Sequence, residues 1–323
     1  MTSPLLRVEG LRKEFRSGGG FLSKQRVVRA VDDVSFTIHQ GETLGVVGES
    51  GCGKTTLGRM VLRLLEATGG QVEFEGTELK SLNSSQMRAL RSDMQIIFQD
   101  PFGSLNPRMT VGELITEPLI IHGGYSGADR QKRLNELLDL VGLASYHAVR
   151  FVHEFSGGQR QRICIARALA LKPRFVVCDE ATSALDVSIQ AQILNLLHDL
   201  KQNLNLTYLF ISHDLGVIRH ISDRAMVMYL GQVVETGSKH EIFNHPAHPY
   251  TAALLNSSPS RNKGKTRFAA LKGDLPSPAN PPSGCRFHTR CSIAKDICKS
   301  VAPPMSAISS ATHQAACHFP LEH

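Results

Sequence analysis

The stretch GESGCGKT, residues 48–55, decides the fold of this chain because it matches the phosphate-binding pattern G-x-x-x-x-G-K-[ST] at every fixed position. A short apolar run, Leu44 to Val47, predicts a strand that leads into it. Strand, loop and helix in this order are the context in which the pattern binds phosphate, so the sequence predicts a nucleoside triphosphate site. The helix is predicted from apolar residues at helical spacing, which form one face: Leu57, Met60, Val61, Leu64 and Leu65.

The loop residues suit phosphate binding because glycines allow consecutive backbone N–H groups to face phosphate oxygens, and a helix N-terminus adds partial positive charge. Lys54 is expected to reach the β- and γ-phosphates, and the Thr55 hydroxyl is expected to hold Mg²⁺. The alternative is a glycine-rich turn that binds nothing, which does not account for a match at all fixed positions. The residues predicted to bind the nucleotide here are Gly48, Glu49, Ser50, Gly51, Cys52, Gly53, Lys54, Thr55 and Thr56.

The composition is that of a globular protein able to bury a full core. The chain has 323 residues, enough for one large or two modest domains. A net charge of +7 suits an anionic ligand or an anionic membrane face, whereas the absence of Trp argues against a base-stacking surface. No apolar run approaches the ~20 residues that span a bilayer, and residues 1–9 lack a signal-peptide apolar region. We therefore expect a cytoplasmic chain whose cysteines form no structural disulfides.

Polar side chains stand at the ends of three predicted strands, where α/β proteins usually bind their ligands. Gln99 follows the first strand, Asp179 and Glu180 the second, and His213 the third. Asp179 is predicted to bind Mg²⁺, directly or through water, and Glu180 to act as general base on the attacking water. His213 is a candidate to hydrogen-bond the γ-phosphate. The alternatives are a strand that ends in solvated acids and a structural histidine.

Three other features are candidates for nucleotide contacts. Residues 156–159 read Ser-Gly-Gly-Gln and precede a predicted helix, with Ser156 as its N-cap. Asp186 precedes a second, amphipathic helix. Phe15 lies in a strand-rich N-terminal part and could stack on adenine, whereas the alternative is that it belongs to the core.

The remaining pattern predicts an α/β core with a helical insert. Residues 5–8, 34–38 and 70–76 are typical of strands, and residues 84–90 are typical of a short helix. The insert is predicted at about residues 100–165. One helical face within it is formed by Leu134, Leu137, Leu138 and Val141.

These motifs resemble, in their order along the chain, those of an ABC transporter ATPase: Walker A at 48–55, Q-loop at Gln99, signature at 156–159, Walker B at Asp179-Glu180, D-loop at Asp186 and H-loop at His213. The resemblance covers about residues 1–260. Many members have Leu where this chain has Phe155, but the Ser-Gly-Gly that contacts phosphate in the family is intact.

The resemblance implies an α/β P-loop NTPase cassette at residues 1–240, with an antiparallel β subdomain and a helical subdomain, and ATP hydrolysis coupled to transport. Two cassettes of the family close head to tail, and hydrolysis needs this dimer. Lys54 and Glu180 of one cassette would then face the signature of the other, formed by Ser156, Gly157, Gly158 and Gln159. The Mg²⁺ bound with ATP would be held by Thr55, Gln99 and Asp179.

The C-terminal part narrows the resemblance. The run HPAHPYT, residues 245–251, looks like the oligopeptide/dipeptide/nickel importer branch, whose C-terminal extension would occupy residues 241–323. Residues 257–283 are rich in Ser and Pro and are predicted to form an extended, wrapping segment.

Four cysteines in this extension suggest a metal site, because free thiols clustered in a reducing compartment are typical ligands. They are Cys285, Cys291, Cys298 and Cys317. Some peptide-importer ATPases with a similar tail carry a [4Fe–4S] cluster, which we favour over zinc. With zinc, His288, His313 or His318 could replace a thiol, and the third alternative is four free thiols. Three other cysteines lie in the loop and in apolar runs and are expected to be inert: Cys52, Cys164 and Cys178.

The resemblance implies an ATPase that drives uptake of di- or oligopeptides from the cytoplasmic face of the cell membrane, as a peripheral subunit. The phosphate-binding loop contains Cys52-Gly53-Lys54 and is followed by Leu57, and this form of the loop resembles that of the second of two ATPases in such importers. A heterodimer with a sister ATPase, two permease subunits and a separate solute-binding protein are therefore expected, without nucleic acid. The alternatives are an importer of nickel or another small solute, and a soluble ABC ATPase that acts on DNA or ribosomes. The chain has no dense Lys/Arg tract, which argues against the ATPase that acts on DNA or ribosomes.

Overall fold

The computed structural model describes residues 3–17, 26–257 and 273–322. It contains two compact units that divide the chain discontinuously. The first unit comprises the described residues of Met1–Ile38, Thr43–Lys80 and Ser212–His323, and the second comprises His39–Glu42 and Ser81–Ile211. Because the first unit contains residues on both sides of the predicted boundary at residue 240, that boundary stays a prediction.

The described residues form twelve strands and eleven α-helices. The strands are β1 Leu6–Ser17, β2 Arg26–Ile38, β3 Thr43–Val47, β4 Gly69–Phe74, β5 Thr77–Glu78, β6 Met94–Ile97, β7 Phe175–Asp179, β8 Thr207–Ser212, β9 Arg224–Tyr229, β10 Gln232–Ser238, β11 Ser306–Ala307 and β12 Gln314–Ala315. The helices are α1 Lys54–Val61, α2 Ser84–Leu90, α3 Pro101–Ser104, α4 Val111–His122, α5 Gly127–Leu140, α6 Gly157–Ala168, α7 Val187–Leu204, α8 Leu215–Ile221, α9 Lys239–Asn244, α10 Pro249–Ser257 and α11 Asp296–Ser300.

The first unit contains an antiparallel sheet in the order β2-β1-β4-β5. The alternation predicted for residues 34–38 places Val34 and Ile38 in the core while Ser35 is exposed. The same unit also contains the strand order β11-β12-β10-β9-β3, in which only β3 and β9 run parallel. Every residue of β3 is buried, so the strand that enters the phosphate-binding loop is a core element.

Helix α1 is shorter than predicted. It ends at Val61, and Arg63 adopts a left-handed φ of 49°. The Leu64 N–H donates to the Arg59 carbonyl at 2.8 Å and the Arg63 N–H to the Met60 carbonyl at 2.9 Å, a pair of bonds that closes a helix C-terminus as a Schellman motif. Leu64 is consequently 48% exposed and lies beyond the helix, so its predicted place on the apolar helical face was wrong, as was the extension of the helix to Leu65.

The second unit combines a parallel sheet with the helical section. Strands β8, β7 and β6 lie side by side, and every residue of β7 is buried. Helices α3 to α6 follow β6 along the chain, which agrees with the predicted helical section. The predicted face of α5 is buried: Leu134, Leu137, Leu138 and Val141.

The C-terminal extension belongs to the first unit. Strand β12 pairs with β10 through Glu235 and Ala315. Most of the predicted wrapping segment at 257–283 lies outside the described residues, so its extended course stays a prediction. Within the described ranges, no helix combines the length and the apolar content that crossing a membrane requires.

Candidate functional site

The phosphate-binding loop is shaped by close backbone approaches that only glycine allows. A Cβ on Gly48 would lie 2.2 Å from the Met228 carbonyl oxygen. Gly53 has a φ of +106°, and a Cβ there would lie 2.0 Å from the Ala30 carbonyl oxygen. The loop is thus held against neighbouring backbone. Helix α1 begins within the motif, at Lys54, so the loop leads into a helix N-terminus, as an anion site of this kind requires.

Lys54 is buried and already bound within the loop. Its ammonium group donates to the Gly48 carbonyl at 2.8 Å and to the Glu49 carbonyl at 3.1 Å. The first two residues of the loop therefore fix the position of the Lys54 ammonium group. The side chains of Thr55 and Thr56 are half-buried at the start of α1, where hydroxyl groups could reach a metal or a phosphate.

Glu49, at a variable position of the motif, has unexpected partners. The Arg290 guanidinium donates to its two carboxylate oxygens at 2.6 and 3.1 Å, and its backbone N–H donates to the Tyr250 hydroxyl at 3.0 Å. The hydrogen bonds to Glu49 raise the pKa of Arg290 further. Sequence reasoning missed both partners of Glu49. Tyr250 stands within the quoted HPAHPYT run, but Arg290 carries no local signal that connects it to the loop.

Two acidic residues stand at the end of β7, in the second unit. Asp179 ends the strand and is buried. Glu180 follows with a left-handed φ of 49°, and its N–H donates to the Ile211 carbonyl at 2.9 Å. The Gln99 amide donates to the Glu180 carboxylate at 3.0 Å, so the structure brings these two predicted residues together. A non-glycine residue in this backbone region is strained, which is common at functional sites.

The Ser-Gly-Gly-Gln run begins helix α6 as predicted. Ser156 is its N-cap in a capping box, because the Gln159 N–H donates to the serine hydroxyl and the Ser156 N–H donates to the Gln159 side chain. A Cβ on Gly158 would lie 2.4 Å from Ile189 of α7, so this glycine allows two helices to pack closely. Phe155, the departure from the family pattern, is buried and meets the ring of His147 edge-on.

The other candidates lie at exposed positions. Phe15 is 43% exposed on β1, which argues against a core role, and the Lys13 ammonium lies 5.3 Å from its ring centre. Asp186 caps α7 by accepting from the Ile189 N–H at 2.9 Å. His213 is exposed and follows β8 directly.

The four extension cysteines line one cavity of the first unit, together with His288 and His318 and with apolar walls that include Phe287 and Phe319: Cys285, Cys291, Cys298 and Cys317. Burial raises the pKa of three of these thiols, that of Cys317 to about 11. Among the described residues, no set of three or more His, Cys, Asp or Glu side chains has the arrangement of a formed metal site. The four thiols therefore line one cavity but do not form such a set.

The remaining cysteines are buried and reduced. All seven cysteines of the chain are free thiols. Burial raises the pKa of each of the three outside the extension, which suppresses the reactive thiolate: Cys52, Cys164 and Cys178.

A buried carboxylate on β10 joins two separate parts of the extension, the HPAHPYT run and His313. Glu235, fully buried on β10, accepts from the backbone N–H groups of Ala247 at 2.7 Å and His248 at 2.9 Å. Its third partner is the ring Nε2 of His313 at 2.9 Å. The other ring nitrogen of His313 lies 3.0 Å from the Ser309 hydroxyl, so His313 is bound away from the thiol cavity. Of the three histidines considered for zinc, only His288 and His318 line that cavity.

His248 gives a pH-dependent prediction. Burial lowers its pKa to about 4, partly opposed by Glu235, and its Nδ1 accepts the Tyr250 N–H at 3.0 Å, a bond that protonation would break. The unfolded chain takes up this proton near pH 6.5 and the folded chain does not, so stability falls as pH decreases from about 6.5 to about 4. The expected loss is on the order of 3 kcal/mol, measured by urea unfolding across this range.

The matched variants for this prediction are His248→Gln, which keeps an acceptor for Tyr250 but cannot titrate, and His39→Gln at an exposed histidine. His248→Gln should flatten the pH dependence, and His39→Gln should leave it unchanged. Equal slopes in all three proteins would show that His248 protonates as easily in the folded chain as in the unfolded one.

Comparison with known proteins decides the family. The ABC transporter family model matches residues 31–183. The oligopeptide transport ATP-binding protein AppF of Bacillus subtilis is 52% identical over 320 residues, which cover 98% of this chain and 97% of AppF. The chain belongs to the ABC transporter ATPases. The predicted family is thereby confirmed, and the α/β cassette fold with it.

Three further matches describe the relationships of this ABC ATPase in more detail. The model of the oligopeptide/dipeptide transporter C-terminal region matches residues 234–298, which confirms the predicted branch. The probable peptide ABC transporter ATP-binding protein y4tS of Sinorhizobium fredii is 50% identical over 98% of this chain and 90% of its own length. A solved dimer of the cassette MJ0796 with ADP and phosphate shares 29% identity and a TM-score of 0.64, covering 72% of this chain and 98% of that one. ATP hydrolysis is therefore the reaction of this family.

Proposed function

We propose that this ABC ATPase energises the import of di- and oligopeptides. The observation that carries the proposal is the match of residues 234–298 to the oligopeptide/dipeptide transporter C-terminal region. Similar proteins at 52% and 50% identity are named for oligopeptide and peptide transport. The contacts of this extension with the phosphate-binding loop through Tyr250 and Arg290 support a role in the ATPase cycle rather than a separate function.

The roles assigned to the site residues are part of this proposal. Lys54 and the loop N–H groups bind the β- and γ-phosphates, and Thr55, Gln99 and Asp179 hold Mg²⁺. Glu180 takes the proton of the attacking water. The contact between Gln99 and Glu180 supports their joint action on that water. Further nucleotide contacts are assigned to Phe15 for adenine, to His213 for the γ-phosphate, and to Asp186 and the signature residues of a second cassette.

The test of the proposed solute is uptake of a labelled dipeptide and of a longer labelled peptide by cells that contain either this chain or its Glu180→Gln form. Loss of uptake in the variant would support import and show which peptide length is served. Unchanged peptide uptake with altered uptake of radioactive nickel would overturn the peptide proposal in favour of another solute. Unchanged uptake of both would reopen the alternative of a soluble ATPase that acts on DNA or ribosomes.

Partners and location follow from the same proposal. The ATPase would sit at the cytoplasmic face of the membrane on two permease subunits, paired with a sister ATPase and supplied by a solute-binding protein. Copurification of a tagged chain in mild detergent tests this assembly. Recovery of permeases with a second, different ATPase supports the heterodimer, whereas recovery of this ATPase alone on the permeases indicates a homodimer.

We further propose that the cavity thiols hold a [4Fe–4S] cluster. Four cysteines around one partly apolar cavity are a suitable ligand set: Cys285, Cys291, Cys298 and Cys317. When bound, the cluster would act as a structural cross-link between separate segments of the extension. Zinc, held with the help of His288 or His318, is the alternative.

The cluster proposal predicts iron, acid-labile sulfide and visible absorbance in protein purified without oxygen. Cys291→Ser should lose them, and Cys164→Ser, which alters a buried cysteine outside the cavity, should keep them. Zinc without iron, or no metal in protein that retains four titratable extension thiols, would contradict the cluster.

A further inference from the structure

Every polar group of Glu49 is bound by another part of the first unit. Its carbonyl accepts from the Lys54 ammonium group, and its N–H donates to the Tyr250 hydroxyl. Its carboxylate receives both arms of the Arg290 guanidinium at 2.6 and 3.1 Å. Two of these three partners come from residues beyond position 240. The extension therefore supplies two of the three residues that bind Glu49 in the first half of the phosphate-binding loop.

Arg290 is itself held in place. Its side chain is only 5% exposed, and its guanidinium also lies 3.5 Å from the Tyr229 hydroxyl. The ring of Phe287 packs against both Tyr229 and Tyr250. A planar guanidinium bound at two oxygens and packed beside aromatic rings loses little further freedom, which makes this pair more directional than a surface ion pair.

The pair also has an electrostatic consequence for the nucleotide. Glu49 places a carboxylate, 25% exposed, in the loop that receives a polyphosphate. Without a cation, this carboxylate would repel the ligand and would be incompletely solvated. Arg290 neutralises it with an ion pair that water reaches poorly. The arginine therefore both orients the loop and removes a like charge from it.

We propose that Arg290 is a positioning residue of the ATP site, which acts through Glu49 to hold the phosphate-binding loop in the conformation and charge state that accept ATP. It does not touch the reacting atoms. The proposal holds whichever solute the transporter carries, because it concerns nucleotide binding alone.

The test is the dissociation constant of a fluorescent ATP analogue on the purified full-length chain. Arg290→Gln should raise it about tenfold, and Arg290→Lys, which keeps the charge but loses the two-pronged contact, should raise it less. The double variant Arg290→Gln and Glu49→Gln should have a dissociation constant within about threefold of that of Glu49→Gln alone, because it no longer contains an uncompensated carboxylate. Lys299→Gln removes one positive charge from an exposed pair in the same extension and should bind like the parent chain.

Two results would overturn the proposal. One is unchanged affinity in both Arg290 variants, which would make the pair purely structural. The other is independence of the two substitutions, in which Arg290→Gln weakens binding by the same factor in the parent chain and in the Glu49→Gln variant. If Arg290→Gln fails to fold, Arg290→Lys measured in the parent and Glu49→Gln backgrounds gives the same comparison.

Discussion

Glu180→Gln is expected to bind ATP with unchanged affinity and to lose hydrolysis by a factor of about 100 or more. The amide has the volume of the carboxylate and still offers an oxygen to the Gln99 amide, which donates to Glu180 at 3.0 Å. It cannot, however, accept a proton from the attacking water. The measurements are phosphate release at saturating ATP and the dissociation constant of the nucleotide.

A matched control for this variant is Glu136→Gln, which alters a half-exposed carboxylate of the same unit paired with Arg133. It should hydrolyse ATP at the parent rate. Normal turnover in Glu180→Gln would overturn its assignment as general base, and a large loss of nucleotide affinity would place Glu180 in binding instead. Glu180 has a left-handed φ of 49°, and we expect the variant to keep it because glutamine has the same branching at Cβ and Cγ as glutamate.

Glu235→Ala is expected to lower the free energy of unfolding by about 3 kcal/mol or more. The fully buried carboxylate accepts from two backbone N–H groups and from the ring of His313, and alanine leaves all three donors without their acceptor. Each such loss costs about 1–3 kcal/mol. Urea unfolding monitored by circular dichroism gives the change.

Two variants calibrate this result. Glu235→Gln retains one acceptor oxygen and should be less destabilised than Glu235→Ala. Glu66→Ala, at an exposed carboxylate paired with Arg63, should change stability by less than about 0.5 kcal/mol. A Glu235→Ala protein as stable as Glu66→Ala would mean that water or a rearranged side chain replaces the lost acceptor at little cost.

The sequence predicted those features that depend on local pattern. The motif at 48–55 can be recognised from sequence because each fixed residue has a separate steric or chemical reason. The starts of α6, with Ser156 as its N-cap, and of α2 follow local capping rules. The end of α1 was missed for the opposite reason. Leu64 continues the helical spacing, but the Schellman bonds end the helix at Val61, and periodicity alone cannot detect them.

Long-range polar partners could not be predicted from the sequence. The contact between Glu49 and Arg290 joins residues 241 positions apart, and nothing near either residue indicates the other. The buried pair of Glu235 and His313 has the same character. The four cysteines were found because of their residue type, and the structure adds that they share one cavity while His313 lies elsewhere.

Arg290 and Cys291 are neighbours in the chain, so one short segment touches both the phosphate-binding loop and the thiol cavity. If a group bound at the thiols favours the position of Arg290 seen here, its binding and that of ATP are linked, and linkage of equilibrium affinities is reciprocal. An occupied cavity would then increase the affinity for ATP by the same factor by which bound ATP increases the affinity of the cavity for its group. The concentration of chelator that removes the bound group, compared in the presence and absence of nucleotide, would measure this coupling at the thiol cavity.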